Sequence, residues 1–259
     1  MQDLDKLEEK SIFILREAKA KFRNLAALWS MGKDSTAMLA IARKAFFGKV
    51  PFPVIHIDNG IDFPETYEFR KKLAIDWNLD LIVAKSEIKD DISGIKCCGA
   101  NKTDALKKVL EERGFDGLIV SIRRDEHGIR AKERTFSPRD KNFKWNYKEQ
   151  PPEVWEYTSR FENDSHVRVH PLLQWNEIDI WRYVKQEGMP INPLYYSREG
   201  KRYRSLGCTS CTVSVESKAS SIDDIIAELK DTNTAERSGR MQDKEQENVM
   251  QRLRALGYM

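Results

Sequence analysis

The sequence has no long apolar run, few cysteines and almost no excess of either charge. No window reaches the roughly 18 consecutive apolar residues of a membrane-spanning helix, so we expect no membrane contact. The first residues, MQDLDKLEEKSIFILREAKAKF, mix both charge signs with helical periodicity, so we expect neither a signal nor a transit peptide here. We therefore expect a cytoplasmic protein, in which four cysteines serve better as ligands or nucleophiles than as disulfides.

The net charge of +3 does not by itself indicate nucleic-acid binding, but the basic residues are unevenly distributed. Many of them fall between positions 123 and 144, together with several aromatic residues. The basic residues are Arg123, Arg124, Arg130, Lys132, Arg134, Arg139, Lys141 and Lys144, and the aromatic ones are Phe136, Phe143, Trp145 and Tyr147. Such a stretch is typical of a solvated loop, of a small-anion pocket or of a nucleic-acid surface, and these interpretations stay open.

Apolar runs alternate with helical patterns along the first half of the chain. LAALWS, FPVIHID, DLIVAK and GLIVSI predict buried strands, and the segments between them predict helices, the last being KTDALKKVLEERG. This alternation favours an α/β protein with a doubly wound, mostly parallel sheet. A charged stretch over 124–165 is predicted to be a functional loop because it is too long for an ordinary connection.

The segment LWSMGKDSTAML places a glycine turn between the first strand and its helix. Parallel sheets bind ligands at this edge, and the amides at a helix N-terminus favour anions. Gly32 permits close approach of a phosphate, while Ser30, Lys33 and Ser35 supply donors and charge. We predict a nucleotide polyphosphate site over Ser30–Thr36, although a structural helix cap would use the same residue types.

The loop SMGKDS, followed by HIDNGIDFPETYEFRKKL, RRDEHGIRAKERTFSPRD, INPLYY and TAERSGRMQD, closely resembles the PP-loop ATP pyrophosphatase superfamily. Within the superfamily, the sequence resembles the branch that contains phosphoadenylyl-sulfate reductases and the sulfate adenylyltransferase small subunit. The resemblance implies an adenine nucleotide alpha-hydrolase-like fold over 25–215. An N-terminal helix (1–24) would precede this domain. A C-terminal helical appendage (216–259), with the helical patterns SIDDIIAELKD and QENVMQRLRALG, would follow it.

The resemblance also implies roles for individual residues. ATP would be bound by the loop and by the end of the second strand, with Mg²⁺ held in part by Asp34 or Asp58. The ATP-binding residues would be Ser30, Met31, Gly32, Lys33, Asp34, Ser35, Thr36, Ile57, Asp58 and Asn59, and the catalytic ones Lys33, Asp34, Arg123 and Arg124. A loop that keeps its lysine favours adenylyl transfer from ATP, with catalysis by positioning and charge stabilisation.

The four cysteines form one adjacent pair, Cys97 and Cys98, and one CxxC, Cys208 and Cys211. Thiolates in groups of four suit zinc or an iron–sulfur cluster, and buried free thiols are the remaining alternative. Adjacent cysteines bind one tetrahedral zinc poorly because their side chains diverge. The pattern is similar to the [4Fe–4S] signature of adenylyl-sulfate reductases, yet the further cysteine that those reductases use for catalysis is missing after Cys211.

Three activities fit these features. The preferred one is the ATP pyrophosphatase of a DNA phosphorothioation system, with DNA, a cysteine desulfurase and other phosphorothioation proteins as partners. The first alternative is the small subunit of sulfate adenylyltransferase with a GTPase large subunit, and the second is a sulfonucleotide reductase. A scaffold or sensor is disfavoured because the loop is intact, and a homo-oligomer is compatible with all three. The histidines, among them His56, show no metal-ligand spacing and are expected to be structural or exposed.

Overall fold

The computed structural model describes residues 3–86, 95–126, 130–140, 142–145, 166–210, 212–232 and 236, with backbone alone over 95–101. The helices are α1 (Leu4–Lys21), α2 (Lys33–Ala45), α3 (Pro64–Asp76), α4 (Ile95–Arg113), α5 (Glu177–Glu187) and α6 (Ile222–Asp231). The strands are β1 (Leu25–Leu28), β2 (Val54–Asp58), β3 (Leu81–Lys85), β4 (Gly117–Ile119), β5 (Phe136–Arg139), β6 (His166–Val169), β7 (Lys201–Arg202) and β8 (Val215–Glu216). None of these helices combines the length and apolarity needed to span a bilayer.

Six strands form one sheet in the order β3-β2-β1-β4-β6-β5, and β7 pairs with β8 in a separate ribbon. All neighbours in the large sheet are parallel except β5, which runs antiparallel to β6 at the edge. The strand order reverses between β1 and β4, which is the position where such sheets bind ligands. The prediction of a doubly wound, mostly parallel α/β fold is confirmed.

Both faces of the sheet are covered, as the uninterrupted apolar runs require. Side chains alternate along β1: Ala27 packs with α1, α2 and α5, whereas Ala26 and Leu28 pack with α4. Gly117 in β4 is sterically required, because a Cβ there would lie 2.5 Å from the ring of Phe22. The sheet therefore lies between two helical layers, which leaves the carboxyl ends of its strands accessible for a site.

Helix α4 begins at Ile95, which is earlier than the start near Thr103 that the sequence predicted. Cys97 and Cys98 therefore lie within the helix and not ahead of it. The predicted start was wrong, and the additional N-terminal part of the helix contains Gly99. One glycine costs a helix only about 1 kcal/mol, which the helix-forming residues around it can offset.

The predicted loop over 124–165 also contains a strand. β5 pairs with β6 through Phe136 and Arg139, and Pro138 is tolerated because an edge strand has one side free of ladder bonds. At the other end of the chain, α6 confirms one of the two predicted C-terminal helical patterns, whereas QENVMQRLRALG lies outside the described residues. The division into 1–24, 25–215 and 216–259 remains a prediction.

Candidate active site

The loop after β1 is held in one shape by its own side chains. The Ser30 amide donates to Ser35 Oγ at 3.2 Å, and Ser35 Oγ donates to the Gly32 carbonyl at 3.2 Å. Met31 has a positive φ of 58° yet is buried, and a Cβ on Gly32 would lie 3.3 Å from Ser30 Oγ. The loop thus presents the N-terminus of α2 to a pocket in a fixed geometry, as an anion site requires.

Lys33 does not extend into solvent but is buried at the base of this pocket. Its Nζ pairs with Glu236 and lies 3.4 Å from Asp34, while its amide donates to Tyr195 Oη at 2.9 Å. Burial acts to lower the pKa of Lys33, but the carboxylates of Asp34 and Glu236 outweigh burial and raise it. Lys33 is therefore a fixed positive charge at the start of α2.

Arg123 reaches the same point from the segment after β4 and is also buried. Its guanidinium pairs with Asp34 and Glu236, and its Nε lies 2.9 Å from Asp125. Burial raises the pKa of Glu236, yet Arg123 and Lys33 outweigh burial, so that carboxylate is held ionised. We call Lys33, Arg123, Asp34 and Glu236 the charge cluster; it contains two basic and two acidic side chains.

A second layer of ion pairs holds Arg123 in place. Glu126 accepts the Arg123 amide at 2.8 Å and pairs with Arg130. The amide of Glu177 donates to Asp125 at 2.7 Å, and the Glu177 carboxylate is 2.7 Å from Arg204. Each of these charges is at least partly compensated, so the position of Arg123 is set by the fold before any ligand binds.

The basic stretch is in part used inside the protein. Arg123, Arg130 and Arg139 are buried and paired with carboxylates, Arg139 with Glu133 at 3.0 Å. Lys132 and Lys144 are exposed, whereas Lys141 and His127 lie outside the described residues. The structure supports the small-anion interpretation for Arg123, and among the described residues of this stretch Lys132 and Lys144 are the exposed cations.

The other predicted residues are divided between the pocket and its supports. Ile57 lines the pocket, but Asp58 pairs with Arg70 at 2.9 Å and accepts from Tyr67 at 3.0 Å. Burial raises the pKa of Asp58, but these bonds outweigh burial and lower it. Arg124 donates to the Glu133 carbonyl at 3.4 Å and is not among the pocket-lining residues. Asp58 and Arg124 therefore stabilise the surroundings of the site in this structure.

Cys208 is buried and lines the same pocket, 3.5 Å from Ser210 Oγ. Thr209 ties this turn to the loop after β2, since its amide donates to the Ile61 carbonyl at 3.0 Å. The side chains of Cys97 and Cys98, and all of Cys211, lie outside the described residues. Within the part of the chain that the structure describes, no three His, Cys, Asp or Glu residues are grouped to hold a metal.

Several residues of the pocket were not predicted to have a role. They are His56, Asp62, Thr66, Lys102, Glu126, Tyr195 and Glu236. Tyr195 and Glu236 belong to the segments INPLYY and TAERSGR, which carried the family resemblance without an assigned chemistry. The resemblance could have marked them as candidates, but their long-range partners are visible only in the fold.

A rigid helix-terminal loop at the switch point of a mostly parallel sheet, with a buried lysine and arginine, defines a nucleotide-binding α/β protein of the PP-loop kind. Residues 24–214 match the phosphoadenosine phosphosulfate reductase domain. The chain belongs to this family, within the ATP-utilising PP-loop superfamily, which confirms the resemblance seen in the sequence.

The similar curated proteins point to one branch of the family. Sulfate adenylyltransferase subunit 2 of Pseudomonas fluorescens (strain Pf0-1) is 39% identical over 297 aligned residues, covering 98% of this chain and 97% of that protein. The same subunit of Zymomonas mobilis subsp. mobilis is also 39% identical, with the same coverage. These relatives extend over nearly the whole chain.

Solved structures agree on the fold. FMN adenylyltransferase of Candida glabrata in complex with ATP has a TM-score of 0.58 and 19% identity, covering 81% of this chain and 63% of that one. This chain thus spans less than two thirds of that protein. Phosphoadenylyl-sulfate reductase of Candida auris has a TM-score of 0.55 and 16% identity, covering 81% and 96%. At these identities the likeness concerns the fold alone.

Proposed function

We propose that the protein transfers the adenylyl group of ATP to sulfate, forming adenylyl sulfate and releasing pyrophosphate. The observation that carries the proposal is the pair of buried cations, Lys33 and Arg123, which together hold one carboxylate at the N-terminus of α2. The near full-length relatives support sulfate as the acceptor and, because each is a subunit 2, a larger partner such as a GTPase subunit. This proposal departs from the DNA acceptor that the sequence favoured.

The charge cluster supports the binding of phosphate. The Glu236 carboxylate and a phosphoryl group both present oxygens that accept charge-assisted hydrogen bonds from lysine and arginine. In our proposal the phosphates of ATP take the position that Glu236 holds. Lys33 and Arg123 then pair with a phosphate in place of the Glu236 carboxylate. A sulfate oxygen then attacks the α phosphorus, the bond to the bridging oxygen breaks, and pyrophosphate leaves with the negative charge that the two cations stabilise.

Among the carboxylates predicted to hold Mg²⁺, Asp34 is the better candidate. Asp34 is the acidic residue of the phosphate loop, and carboxylate oxygens are ligands that Mg²⁺ accepts together with substrate phosphates. Asp58 is a poorer candidate because it does not line the pocket, whereas Asp34 does. Binding of Mg²⁺ would replace the contacts that Arg123 and Lys33 make with Asp34. The ion would supply positive charge on the phosphates, while Lys33 and Arg123 orient them.

The test is sulfate-dependent release of pyrophosphate from ATP, measured with and without the cognate large subunit. Lys33→Met removes the cation and should abolish release. Lys44→Met is the matched control. Lys44 lies in the same helix but away from the pocket, and it pairs with Glu8 and Glu187. Activity should survive in that variant. Sulfate-independent turnover, or full activity in Lys33→Met, would contradict the proposal.

A second candidate is the ATP pyrophosphatase of DNA phosphorothioation, which Cys208 favours by lying in the wall of the ATP pocket. Position 98 of α4 lies one helical turn before Lys102, which lines the same pocket. A [4Fe–4S] cluster on Cys97, Cys98, Cys208 and Cys211 would then adjoin the reaction and supply sulfur or redox chemistry. The acceptor would be a DNA phosphate, and sulfur from a cysteine desulfurase would displace AMP. Thiols in this number suit the reducing cytoplasm.

Iron content and acceptor dependence separate the two candidates. The second predicts four irons and four sulfides per chain after anaerobic purification, fewer in Cys98→Ser, and pyrophosphate release that depends on DNA. Zinc or metal-free protein with sulfate-dependent release would exclude it. Lys132→Ala with Lys144→Ala should lower DNA affinity and its salt dependence if DNA is the acceptor, and should leave ATP binding unchanged in either case.

A further inference from the structure

His56 lines the ATP pocket beside the phosphate loop, and it plays no part in the chemistry proposed above. It lies in β2, and its side chain is 4% exposed. Nδ1 is 3.3 Å from the carbonyl oxygen of Trp29, the residue that precedes Ser30 of the loop. Because a carbonyl can only accept, Nδ1 carries the proton and donates it. This bond fixes both the orientation and the tautomer of the ring.

The second ring nitrogen is left as a buried acceptor. Nε2 has no hydrogen-bond partner among the described residues. Burial, reinforced by the positive charge of Arg70, lowers the pKa of His56 to about 4, so the ring is neutral near pH 7. Neutral imidazole with its proton on Nδ1 offers a lone pair at Nε2. A buried acceptor without a donor is unfavourable, and a ligand that supplies a donor removes that cost.

A second acceptor, the carboxylate of Asp62, lies near His56 Nε2. Asp62 Oδ2 lies 3.7 Å from His56 Nε2, too far for a direct hydrogen bond, and the Asp62 side chain is 8% exposed. Asp62 also lines the pocket. His56 Nε2, which has no donor among the described residues, favours a ligand group with an N–H or O–H bond, and Asp62 beside it can also accept. Burial raises the pKa of Asp62, and Lys102, which lines the same pocket, acts to lower it. The acceptor at Nε2 disfavours sulfate and the phosphates of ATP, which near pH 7 present almost exclusively acceptor oxygens.

We infer that His56 and Asp62 form a subsite that binds an N–H or O–H donor of the nucleoside of ATP and so selects the nucleotide. The inference rests on the proposed function only in taking ATP as the ligand. The donors available on adenosine are the exocyclic amine of adenine and the two ribose hydroxyls. The subsite and the charge cluster line one pocket, the first to read the nucleoside and the second to hold phosphates.

The test compares the affinities of four nucleotides by titration calorimetry: ATP, purine riboside triphosphate, 2′-deoxy-ATP and 3′-deoxy-ATP. The wild-type protein should bind at least one analogue about tenfold more weakly than ATP, because that analogue leaves His56 Nε2 without a donor. The amine-free analogue identifies the base as the source, and the deoxy analogues identify the ribose. In His56→Phe the ratio of affinities should fall to about one.

Two further variants make the result independent of folding. In Asp62→Asn the new amide can donate to His56 Nε2 within the protein, so discrimination should decrease while pyrophosphate affinity stays unchanged. His170→Phe is the matched control, since His170 is also buried and bonded through Nδ1 to a carbonyl, that of Arg134 at 2.7 Å, outside the pocket. Its discrimination should equal that of the wild type.

Equal binding of all four nucleotides by the wild type, or unchanged discrimination in both His56→Phe and Asp62→Asn, would overturn the inference. Failure of the proposed function has a different signature. ATP would bind with the expected discrimination, but sulfate would not be adenylated.

Discussion

Replacing Lys33 by methionine should weaken the fold as well as stop the reaction, because the lysine is part of the charge cluster. Its side chain is 1% exposed, and it compensates Asp34 and Glu236 together with Arg123. Removing one partner of a buried ion pair costs about 3–5 kcal/mol. Arg123 still contacts both carboxylates, so we expect the lower end, about 3 kcal/mol. For a chain of this size that loss lowers Tm by roughly 6–12 °C.

A double-mutant cycle isolates the electrostatic part of this effect. In Lys33→Met the Glu236 carboxylate loses one of its cationic partners, and Glu236→Gln removes the charge of that carboxylate. The double variant Lys33→Met/Glu236→Gln should therefore recover at least about 1 kcal/mol of unfolding free energy relative to Lys33→Met. The assay is denaturant and thermal unfolding followed by circular dichroism, with Lys44→Met as the control at a half-exposed site. A Tm within 2 °C of wild type for Lys33→Met would refute the buried position of Lys33 and the reasoning built on it (the threshold being about 1 kcal/mol).

Three further outcomes follow from the same contacts. Tyr195→Phe leaves the Lys33 amide without its acceptor, so we expect a loss of about 1–2 kcal/mol and altered ATP affinity, whereas Tyr183→Phe, which loses its bond to Glu8, should leave ATP affinity unchanged. Glu236→Gln should tighten pyrophosphate binding by about tenfold, measured by calorimetry, because a neutral amide competes less for Lys33 and Arg123; weaker binding would count against phosphates taking its place. Burial, with Arg168 and Arg139, lowers the pKa of His166 to about 2, below the value of about 6.5 in the unfolded chain. The stability from this neutral histidine is complete above pH 6.5 and is lost as the pH falls, so unfolding free energy should drop by about 2 kcal/mol more between pH 7 and 5 in the wild type than in His166→Gln; equal pH dependence would show that His166 is accessible to protons.

The sheet and the phosphate loop could be predicted because their signals are local. Buried strands are apolar runs, and the turn at Gly32 before a helical pattern indicates an anion site in any α/β protein. The partners of the loop could not be predicted in the same way. Glu236 is far from Lys33 in sequence, and the buried state of Arg123 depends on acids from three separate segments.

The errors also have physical causes. Residue types alone do not separate a buried arginine from an exposed one, so the basic stretch was compatible with both nucleic acid and a small-anion pocket until Arg123, Arg130 and Arg139 were placed. β5 was missed because its proline suits an edge strand but contradicts the usual strand pattern. His56 was expected to be structural, since nothing in its neighbours along the chain shows that Trp29 would fix its tautomer.

The most direct test of the central claim is to determine which bond of ATP is broken and which acceptor receives the adenylyl group. ATP labelled at the α phosphate is incubated with the protein, the large subunit that we propose as its partner and sulfate, and the products are separated by chromatography. The account predicts label in adenylyl sulfate, with an equal amount of unlabelled pyrophosphate, and no such product from Lys33→Met. Label in ADP, or in AMP formed at the same rate without sulfate, would contradict it.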